Sequence, residues 1–172
     1  MAADLTSPMR RITVDTPLGP LSILVGPGGV VATSFEHDRR PRERPARHGQ
    51  PGSVRDVARE VRAYFDGRLR VFETPVDLSG VGDGFARRVL EEVRTIPYGE
   101  LRTYGDVAAA AGSARGGRAA GSALARCPIE LFVPCHRVVR AGPSLGRYGG
   151  HEERRRFLLA LEGALPDASG GP

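Results

Sequence analysis

The sequence predicts an α/β fold in two parts, three short strands with a helix followed by a mostly helical part. In the first 35 residues, polar and apolar residues alternate as in half-buried strands, and Gly/Pro turns separate the alternating runs. Beyond residue 83, apolar residues recur at helical spacing. A chain of 172 residues has room for one ordinary domain or two small ones that share a core.

The first part begins with three predicted strands. They are Arg11–Thr16, Leu21–Val25 and Val30–Phe35. The turns between them are Pro17–Pro20 and Gly26–Gly29, whose composition is typical of tight hairpin connections. We therefore expect an antiparallel sheet of three strands.

An exposed loop and a helix follow the strands. Residues 37–52 are rich in Pro and Arg and contain too few apolar residues to fold, so we expect a solvated loop. From Ser53 an apolar residue recurs every three or four positions, which predicts a helix with Ser53 as its N-cap and Gly67 as its stop. Residues 72–78 are a candidate for a further strand.

The second part contains four predicted helices. An amphipathic stripe from Phe85 to Val93 predicts the first, and Thr103 is placed to cap the second, Tyr104–Ala111. A third helix covers roughly residues 115–125, and the last covers 151–161. Two short helices joined by a tight glycine-containing turn suggest a helix-turn-helix, although such pairs are common in all proteins.

Composition and charge indicate which partners and which cellular compartment the protein is expected to have. Lys and Arg number 25 against 20 Asp and Glu, and the net charge of +5 is carried by arginine. This balance fits a polyanion partner or an ordinary solvated surface. We find no apolar run of transmembrane length, no signal segment, no disulfide framework and no metal-binding motif, so we expect a cytoplasmic protein without a metal site.

The most informative segment is Val133–Val139, which places Cys135 directly before His136. A cysteine attacks as its thiolate, and a neighbouring histidine raises the thiolate fraction at neutral pH. Taken alone, a Cys-His pair is a weak signal, because most free cysteines are small buried hydrophobic residues.

The complete string Pro-Cys-His-Arg-Val resembles the active-site motif of the O6-alkylguanine-DNA alkyltransferases, and the resemblance extends over residues 10–163. Further segments similar to this family occur at matching spacing: Thr16–Leu21, Ile96–Glu100 with Thr103 and Tyr104, Gly117–Gly121, Gly146–Gly150 and Leu158–Glu162.

The resemblance implies a domain organisation. Residues 10–80 would form an α/β domain resembling ribonuclease H, and residues 83–163 a mostly helical, winged-helix-like DNA-binding domain that carries the active site. Residues 1–9 and 164–172 are expected to be flexible tails.

The resemblance also implies the reaction. Cys135 would take the alkyl group from guanine O6 and keep it as a thioether, so that each molecule reacts once and needs no cofactor. His136 and Glu162 would accept the thiol proton through a relay, since a carboxylate orients the imidazole and stabilises its charged form. Tyr104 would donate to the departing guanine.

The remaining site residues follow from the same resemblance. Arg118 would enter the base stack when the damaged nucleotide is flipped out, and the other DNA contacts would come from Thr103, Gly117, Ala119 and Gly121. The substrate pocket would be formed by Tyr148, Val138, Gly149 and Arg137.

The resemblance also implies the partner, which is double-stranded DNA containing O6-alkylguanine, and O4-alkylthymine is a further expected substrate. We expect a monomer that does not contact membranes.

The chain departs from the family at Cys127, where an asparagine is usual. That amide is expected to tie together the turns before the active site, and cysteine is only a weak donor and acceptor. Two alternatives remain open at this point: a lesion-binding relative without chemistry, and a winged-helix regulator. Relatives of the first kind lack the reactive cysteine, and a regulator would leave His136 and Glu162 without a role.

Overall fold

The computed structural model describes residues 9–36, 52–142 and 144–165. The predicted loop 37–52, apart from Gly52, and most of the predicted tails 1–9 and 164–172 lie outside these ranges. Within the described residues the fold is mixed α/β, with a three-stranded sheet, a two-stranded sheet and five α-helices. No helix in these ranges combines the length and apolar composition that a membrane span requires.

The described residues divide into two compact units. One contains the chain up to Asp83 together with Cys127–Val133, and the other contains Gly84–Arg126 and the chain from Pro134 onward. The second predicted domain, residues 83–163, includes the segment 127–133, which the structure assigns to the first unit.

The first unit is built on an antiparallel sheet of β1 (Arg10–Val14), β2 (Leu21–Gly26) and β3 (Gly29–Phe35), in that order. The ladder is interrupted between Leu24 and Val25, and both of these side chains are buried. Helix α1 (Gly52–Phe65) contacts β1 and buries Val57, Val61 and Tyr64. The three predicted strands are confirmed, with ends shifted by one or two residues.

Helix α1 begins one residue before the predicted cap Ser53 and ends close to the predicted stop. Gly67 has φ +71°, and its N–H donates to the Tyr64 carbonyl at 3.0 Å. This left-handed residue lets the chain leave the helix, as glycine does after many helices.

The predicted strand at residues 72–78 is wrong. Only Val76 pairs, in a single parallel bridge to Val30, with hydrogen bonds of 2.8 Å from Val30 N to the Pro75 carbonyl and from Asp77 N to the Val30 carbonyl. Pro75 has no N–H to extend the ladder. The approach is so close that a Cβ at Gly29, where φ is +123°, would lie 2.1 Å from the Pro75 oxygen.

The segment Cys127–Val133 is attached to β3 through Thr33. Thr33 N donates to the Pro128 carbonyl at 2.8 Å, and Thr33 Oγ1 donates to the Glu130 carbonyl at 3.0 Å. The segment also contains Leu131, which has φ +78° and a buried side chain. Burial of leucine offsets the strain of this left-handed conformation.

The second unit is mostly helical. Its elements are α2 (Phe85–Arg94), β4 (Arg102–Thr103), α3 (Tyr104–Ala110), α4 (Gly117–Ala125), β5 (Val138–Val139) and α5 (Glu152–Leu161). Helices α2, α3 and α4 pack against one another, and β4 pairs in parallel with β5. The pairing of β4 with β5 brings the start of α3 next to the residues that follow Cys135.

We predict that Thr33→Val destabilises the protein by about 1 kcal/mol, because the hydrogen bond from the buried Thr33 hydroxyl to the Glu130 carbonyl is lost. The midpoint of thermal unfolding should fall by roughly 2–4 °C for a chain of this size. Thr13→Val, at an exposed position of β1, is the matched control and should leave the midpoint unchanged. Equal midpoints for the two variants would contradict this assignment.

Candidate active site

The predicted nucleophile and its neighbour lie in a single 3₁₀ turn, Cys135–Arg137. Pro134 precedes the turn, and its carbonyl accepts a 2.9 Å hydrogen bond from Arg137 N. Cys135 is 3% exposed and His136 is fully buried. Neither Cys135 nor Cys127 takes part in a disulfide. The turn therefore places a thiol and an imidazole in consecutive positions out of bulk water.

Glu162, just after α5, lies at the centre of a buried polar cluster. His136 Nε2 lies 2.8 Å from Glu162 Oε1, and the Gly99 N–H donates to Oε2 at 3.1 Å. Arg137 donates to both carboxylate oxygens, from Nε to Oε2 and from Nη2 to Oε1, each at 2.9 Å. Among the predicted catalytic residues, the structure brings His136 and Glu162 into direct contact.

Arg137 is a predicted residue of the substrate pocket, and its guanidinium lies on Glu162. Its third guanidinium nitrogen donates to the Ile96 carbonyl at 2.6 Å, and the group lies 5.8 Å from the centroid of the Tyr98 ring. The side chain is buried. Sequence reasoning missed this contact, although a buried carboxylate requires a compensating cation and Arg137 is the arginine of the nucleophile motif.

Burial lowers the pKa of His136 below its ordinary value of 6.5. The contact with Glu162 opposes this effect, and the charges of Arg137 and Arg155 add to it. Because a carboxylate paired with arginine only accepts hydrogen bonds, Nε2 is assigned as the protonated nitrogen of a neutral imidazole. The other nitrogen, Nδ1, is buried and has no hydrogen-bond partner among the described residues.

Tyr104 is the first residue of α3 and is half-buried. Its hydroxyl lies 3.4 Å from the Arg147 carbonyl and 3.4 Å from Arg155 Nη2. The edge of its ring faces α4, where a Cβ at Gly121 would lie 3.8 Å from two ring carbons. The absence of a side chain at Gly121 therefore leaves the ring room between the two helices.

Thr103, a predicted DNA contact, is the N-cap of α3. Its Oγ1 accepts from Asp106 N at 3.1 Å, and the Asp106 carboxylate accepts from Thr103 N at 3.0 Å, which completes a capping box. The hydrogen bonds from the Thr103 side chain and backbone lower the pKa of Asp106. The cap fixes where α3 begins and therefore where Tyr104 projects.

The predicted pocket residues Tyr148 and Gly149 lie on the segment before α5. Tyr148 is half-buried, and its N–H donates to Glu152 Oε1 at 3.2 Å. The backbone N–H groups of Glu152 itself and of Tyr148, together with the charge of Arg155, lower the pKa of Glu152. Gly149 is exposed with φ +57°, and Val138 is buried in β5.

The predicted DNA contacts on α4 fall on two faces of the helix. Arg118 and Ala119 are exposed, whereas Gly117 and Gly121 are half-buried. A Cβ at Gly117 would lie 3.8 Å from the backbone nitrogen of Gly105, so this glycine also faces α3. The small residues of α4 thus have two effects. Gly117 and Gly121 let α3 and α4 pack closely, and Ala119 leaves the exposed face of α4 without a bulky side chain.

A second arginine that sequence reasoning missed is Arg155 on α5, which is 1% exposed. Its guanidinium donates to the carbonyls of Leu145 and Arg147 and lies 4.7 Å from the centroid of the Tyr148 ring. Arg154 is buried as well, and only helical spacing could have indicated which arginines of the run Arg154–Arg156 are buried. Within the described ranges, no group of three His, Cys, Asp or Glu residues could hold a metal ion.

Comparison with known proteins agrees with this geometry. A family profile described as "6-O-methylguanine DNA methyltransferase, DNA binding domain" matches residues 84–164. The methylated-DNA–protein-cysteine methyltransferase of Mycobacterium tuberculosis is 40% identical over 152 residues, covering 87% of this chain and 90% of that protein. A constitutive enzyme of the same name from Bacillus subtilis is 34% identical, covering 87% and 93%.

The fold is also similar to solved structures. The crystal structure of Mycobacterium tuberculosis OGT in complex with DNA has a TM-score of 0.79 and 37% identity, covering 90% of this chain and 93% of that one. The M. tuberculosis O6-methylguanine methyltransferase has a TM-score of 0.77 and 34% identity, covering 92% and 96%. With the Cys135 turn and its buried His136–Glu162 contact, these similarities show that the chain belongs to the methylated-DNA–protein-cysteine methyltransferase family.

Proposed function

We propose that this protein repairs O6-alkylguanine in double-stranded DNA by direct reversal, through irreversible transfer of the alkyl group to Cys135. O4-alkylthymine, in which the alkyl group is also bound to an exocyclic oxygen, is a second substrate of the same displacement. The observation that carries the proposal is the turn that joins Cys135 to His136, with His136 held by Glu162 at 2.8 Å.

His136 is the base of this reaction. Its Nε2 is directed at Glu162, so Nδ1 is the nitrogen with a lone pair for the thiol proton. The proton passes from Cys135 to Nδ1 through a water molecule, and Glu162 stabilises the imidazolium that forms. Because burial lowers the pKa of His136, the imidazole is in its basic form at neutral pH.

The chemical step is an in-line displacement. The thiolate sulfur forms a bond to the alkyl carbon as the bond from that carbon to guanine O6 breaks, and the electron pair of the broken bond stays on the guanine. Tyr104 donates a hydrogen bond to the ring of the departing anion, and a proton later neutralises it. A thioether has no good leaving group, so the thiol is not regenerated and each molecule reacts once.

Access to guanine O6 requires base flipping, because a base stacked in a duplex cannot present this atom to a thiolate. Arg118, exposed on α4, enters the vacated stack, and Ala119 with the glycines at 117 and 121 lets the helix approach the minor groove. Tyr148, Val138 and Gly149 form the wall of the pocket that receives the base. Contacts of this kind depend on shape and phosphates more than on sequence.

We propose in addition that the chain forms two domains. Residues 10–80 form a ribonuclease-H-like domain, and residues 83–163 form the winged-helix-like domain in which α3 and α4 act as a helix-turn-helix. The contact between α3 and α4 and the short β4–β5 sheet support this description. Because Cys135, His136 and Arg118 all belong to one chain, we propose that the protein acts as a monomer. We also propose that it acts in the cytoplasm.

We predict stoichiometric methyl transfer to Cys135. After incubation with methylated duplex DNA, the intact mass should increase by one methyl group per chain, and peptide mapping should locate it at Cys135. Cys135→Ala should abolish the increase, and the matched control Cys127→Ala should retain it. Repeated turnover, a methyl group on Cys127, or tight lesion binding without transfer would each contradict the mechanism.

We predict that the pKa of His136, followed by NMR of its ring, lies below that of a histidine in the urea-unfolded chain. Since the folded state then binds this proton less tightly, the stabilising contribution is complete above pH 6.5. It is lost as the pH falls from 6.5 through the lower folded value, by at most about 1.4 kcal/mol per pH unit for one proton. The transfer rate should fall in the same acidic range. A folded pKa at or above 6.5 would refute the assignment.

We predict that Arg118→Ala slows repair of duplex DNA by roughly tenfold or more, because the flipped state costs a few kcal/mol and loses its support. Transfer from the free base O6-methylguanine should change less than about twofold, since no flipping is needed. Arg94→Ala, which removes an equal charge at an exposed position of α2, is the control. Equal losses on the two substrates would place Arg118 in chemistry or folding.

A further inference from the structure

The turn before α5 is held by the side chain of Glu152. The backbone N–H of Tyr148 donates to Glu152 Oε1 at 3.2 Å, and the N–H of His151 donates to the Tyr148 carbonyl at 2.8 Å. The backbone N–H groups of Glu152 itself and of Tyr148 lower the pKa of Glu152, and the N–H of Gly150 adds to this effect. The carboxylate is therefore bound by amides on both sides of Gly149.

Hydrogen bonds hold this turn more than packing does. Gly149 and Gly150 have φ +57° and +83°, and both residues are exposed. A Cβ added at either glycine would meet no heavy atom within 4 Å, so no other segment lies against the backbone there. Two consecutive residues of positive φ turn the chain sharply, and the amides of such a turn can bind an anion. Here that anion is the carboxylate of Glu152.

Arg155 holds the same segment through its carbonyl groups. Its guanidinium donates to the carbonyls of Leu145 and Arg147 and lies 4.7 Å from the centroid of the Tyr148 ring. Arg155 follows Glu152 by three positions on α5, a spacing at which opposite charges attract. The segment before α5 is thus attached to this helix at its amides by Glu152 and at its carbonyls by Arg155.

The position of the turn sets the space in the proposed pocket. Tyr148 and Gly149 belong to the proposed wall, and the backbone of Tyr148 is the part that Glu152 holds. An O6 substituent larger than methyl requires the turn to shift, and a shift relative to α5 lengthens this hydrogen bond. Hydrogen bonds to an ionised acceptor are stronger than those between neutral groups. Glu152 therefore opposes a widening of the pocket.

We propose that Glu152 is a specificity-determining residue, which limits the size of the O6 substituent by holding the turn 148–150 against α5. Glu152 exchanges no proton in the displacement and acts through the backbone of the turn. A methyl group fits without movement of the wall, whereas a benzyl group requires the turn to leave Glu152. This inference rests on the proposed function, because it concerns the substrates of that reaction.

The test compares two substituents within each variant. Single-turnover transfer to the full-length chain is measured from O6-benzylguanine and from O6-methylguanine in the same duplex DNA, and the readout is the ratio of the two rate constants. Because the amplitude gives the reactive fraction, a loss of folded protein does not change this ratio. Glu152→Ala removes the acceptor, and Glu152→Gln keeps an acceptor oxygen without the charge. Glu153→Ala is the matched control, since Glu153 is exposed in the same first turn of α5.

We expect Glu152→Ala to raise the benzyl-to-methyl ratio about threefold or more, within the range for loss of one net hydrogen bond. Most of the change should come from faster benzyl transfer, because a methyl group does not require the wall to move. Glu152→Gln should give an intermediate ratio, since a neutral acceptor binds the amides more weakly. Glu153→Ala should leave the ratio at the wild-type value. The free bases O6-benzylguanine and O6-methylguanine should give the same order of variants, because the effect lies in the pocket and not in DNA binding.

An unchanged or lower ratio for Glu152→Ala would overturn the inference and leave Glu152 a cap of α5 alone. An equal rise for Glu153→Ala would also overturn it, because the effect would then come from the lost charge. If Glu152→Ala does not fold, Glu152→Gln decides by the same criteria. A wild-type protein that transfers neither alkyl group would instead refute the proposed function, so the two failures are distinguishable.

Discussion

Glu162 is the carboxylate on which the geometry of the active site depends. It accepts hydrogen bonds from the His136 ring, from two nitrogens of Arg137 and from the Gly99 backbone. These donors come from the nucleophile turn and from the loop that follows α2, so one buried group connects them with the end of α5. Removing one partner of a buried ion pair typically costs 3–5 kcal/mol, which makes this cluster a structural as well as a chemical centre.

The charges of the cluster explain why His136 is neutral. Arg137 and Glu162 compensate each other, so the imidazole is in contact with a pair that carries no net charge. Desolvation then dominates and lowers the pKa of His136. An unpaired carboxylate in the same place would favour the imidazolium, which cannot accept a proton from Cys135. Arg137 thus affects the pKa of His136 both directly and by neutralising Glu162.

The strands and the nucleophile could be predicted from the sequence because their signals are local. Alternation between turns indicates a hairpin, and Cys135 with His136 is a chemical pair in adjacent positions. The partners of Arg137 could not be predicted, because Ile96 and Glu162 lie 41 and 25 residues away in sequence. The same holds for the contact of Arg155 with Tyr104, which is 51 residues away. The predicted strand at residues 72–78 failed for a related reason. Its apolar residues indicated a strand, but Pro75 stops the ladder after one bridge.

Two of the buried arginines of the second unit, Arg137 and Arg155, differ in the groups that they hold in place. Arg137 forms a salt bridge with Glu162, so its charge is neutralised within the cluster that contains His136. The hydrogen bonds of Arg155 end on carbonyl groups and a tyrosine hydroxyl, and its charge lowers the pKa of Glu152. A thiolate attack transfers negative charge from sulfur to the departing base. The neutral His136, next to Cys135 in the chain, suits the start of this transfer because a neutral imidazole can accept the thiol proton.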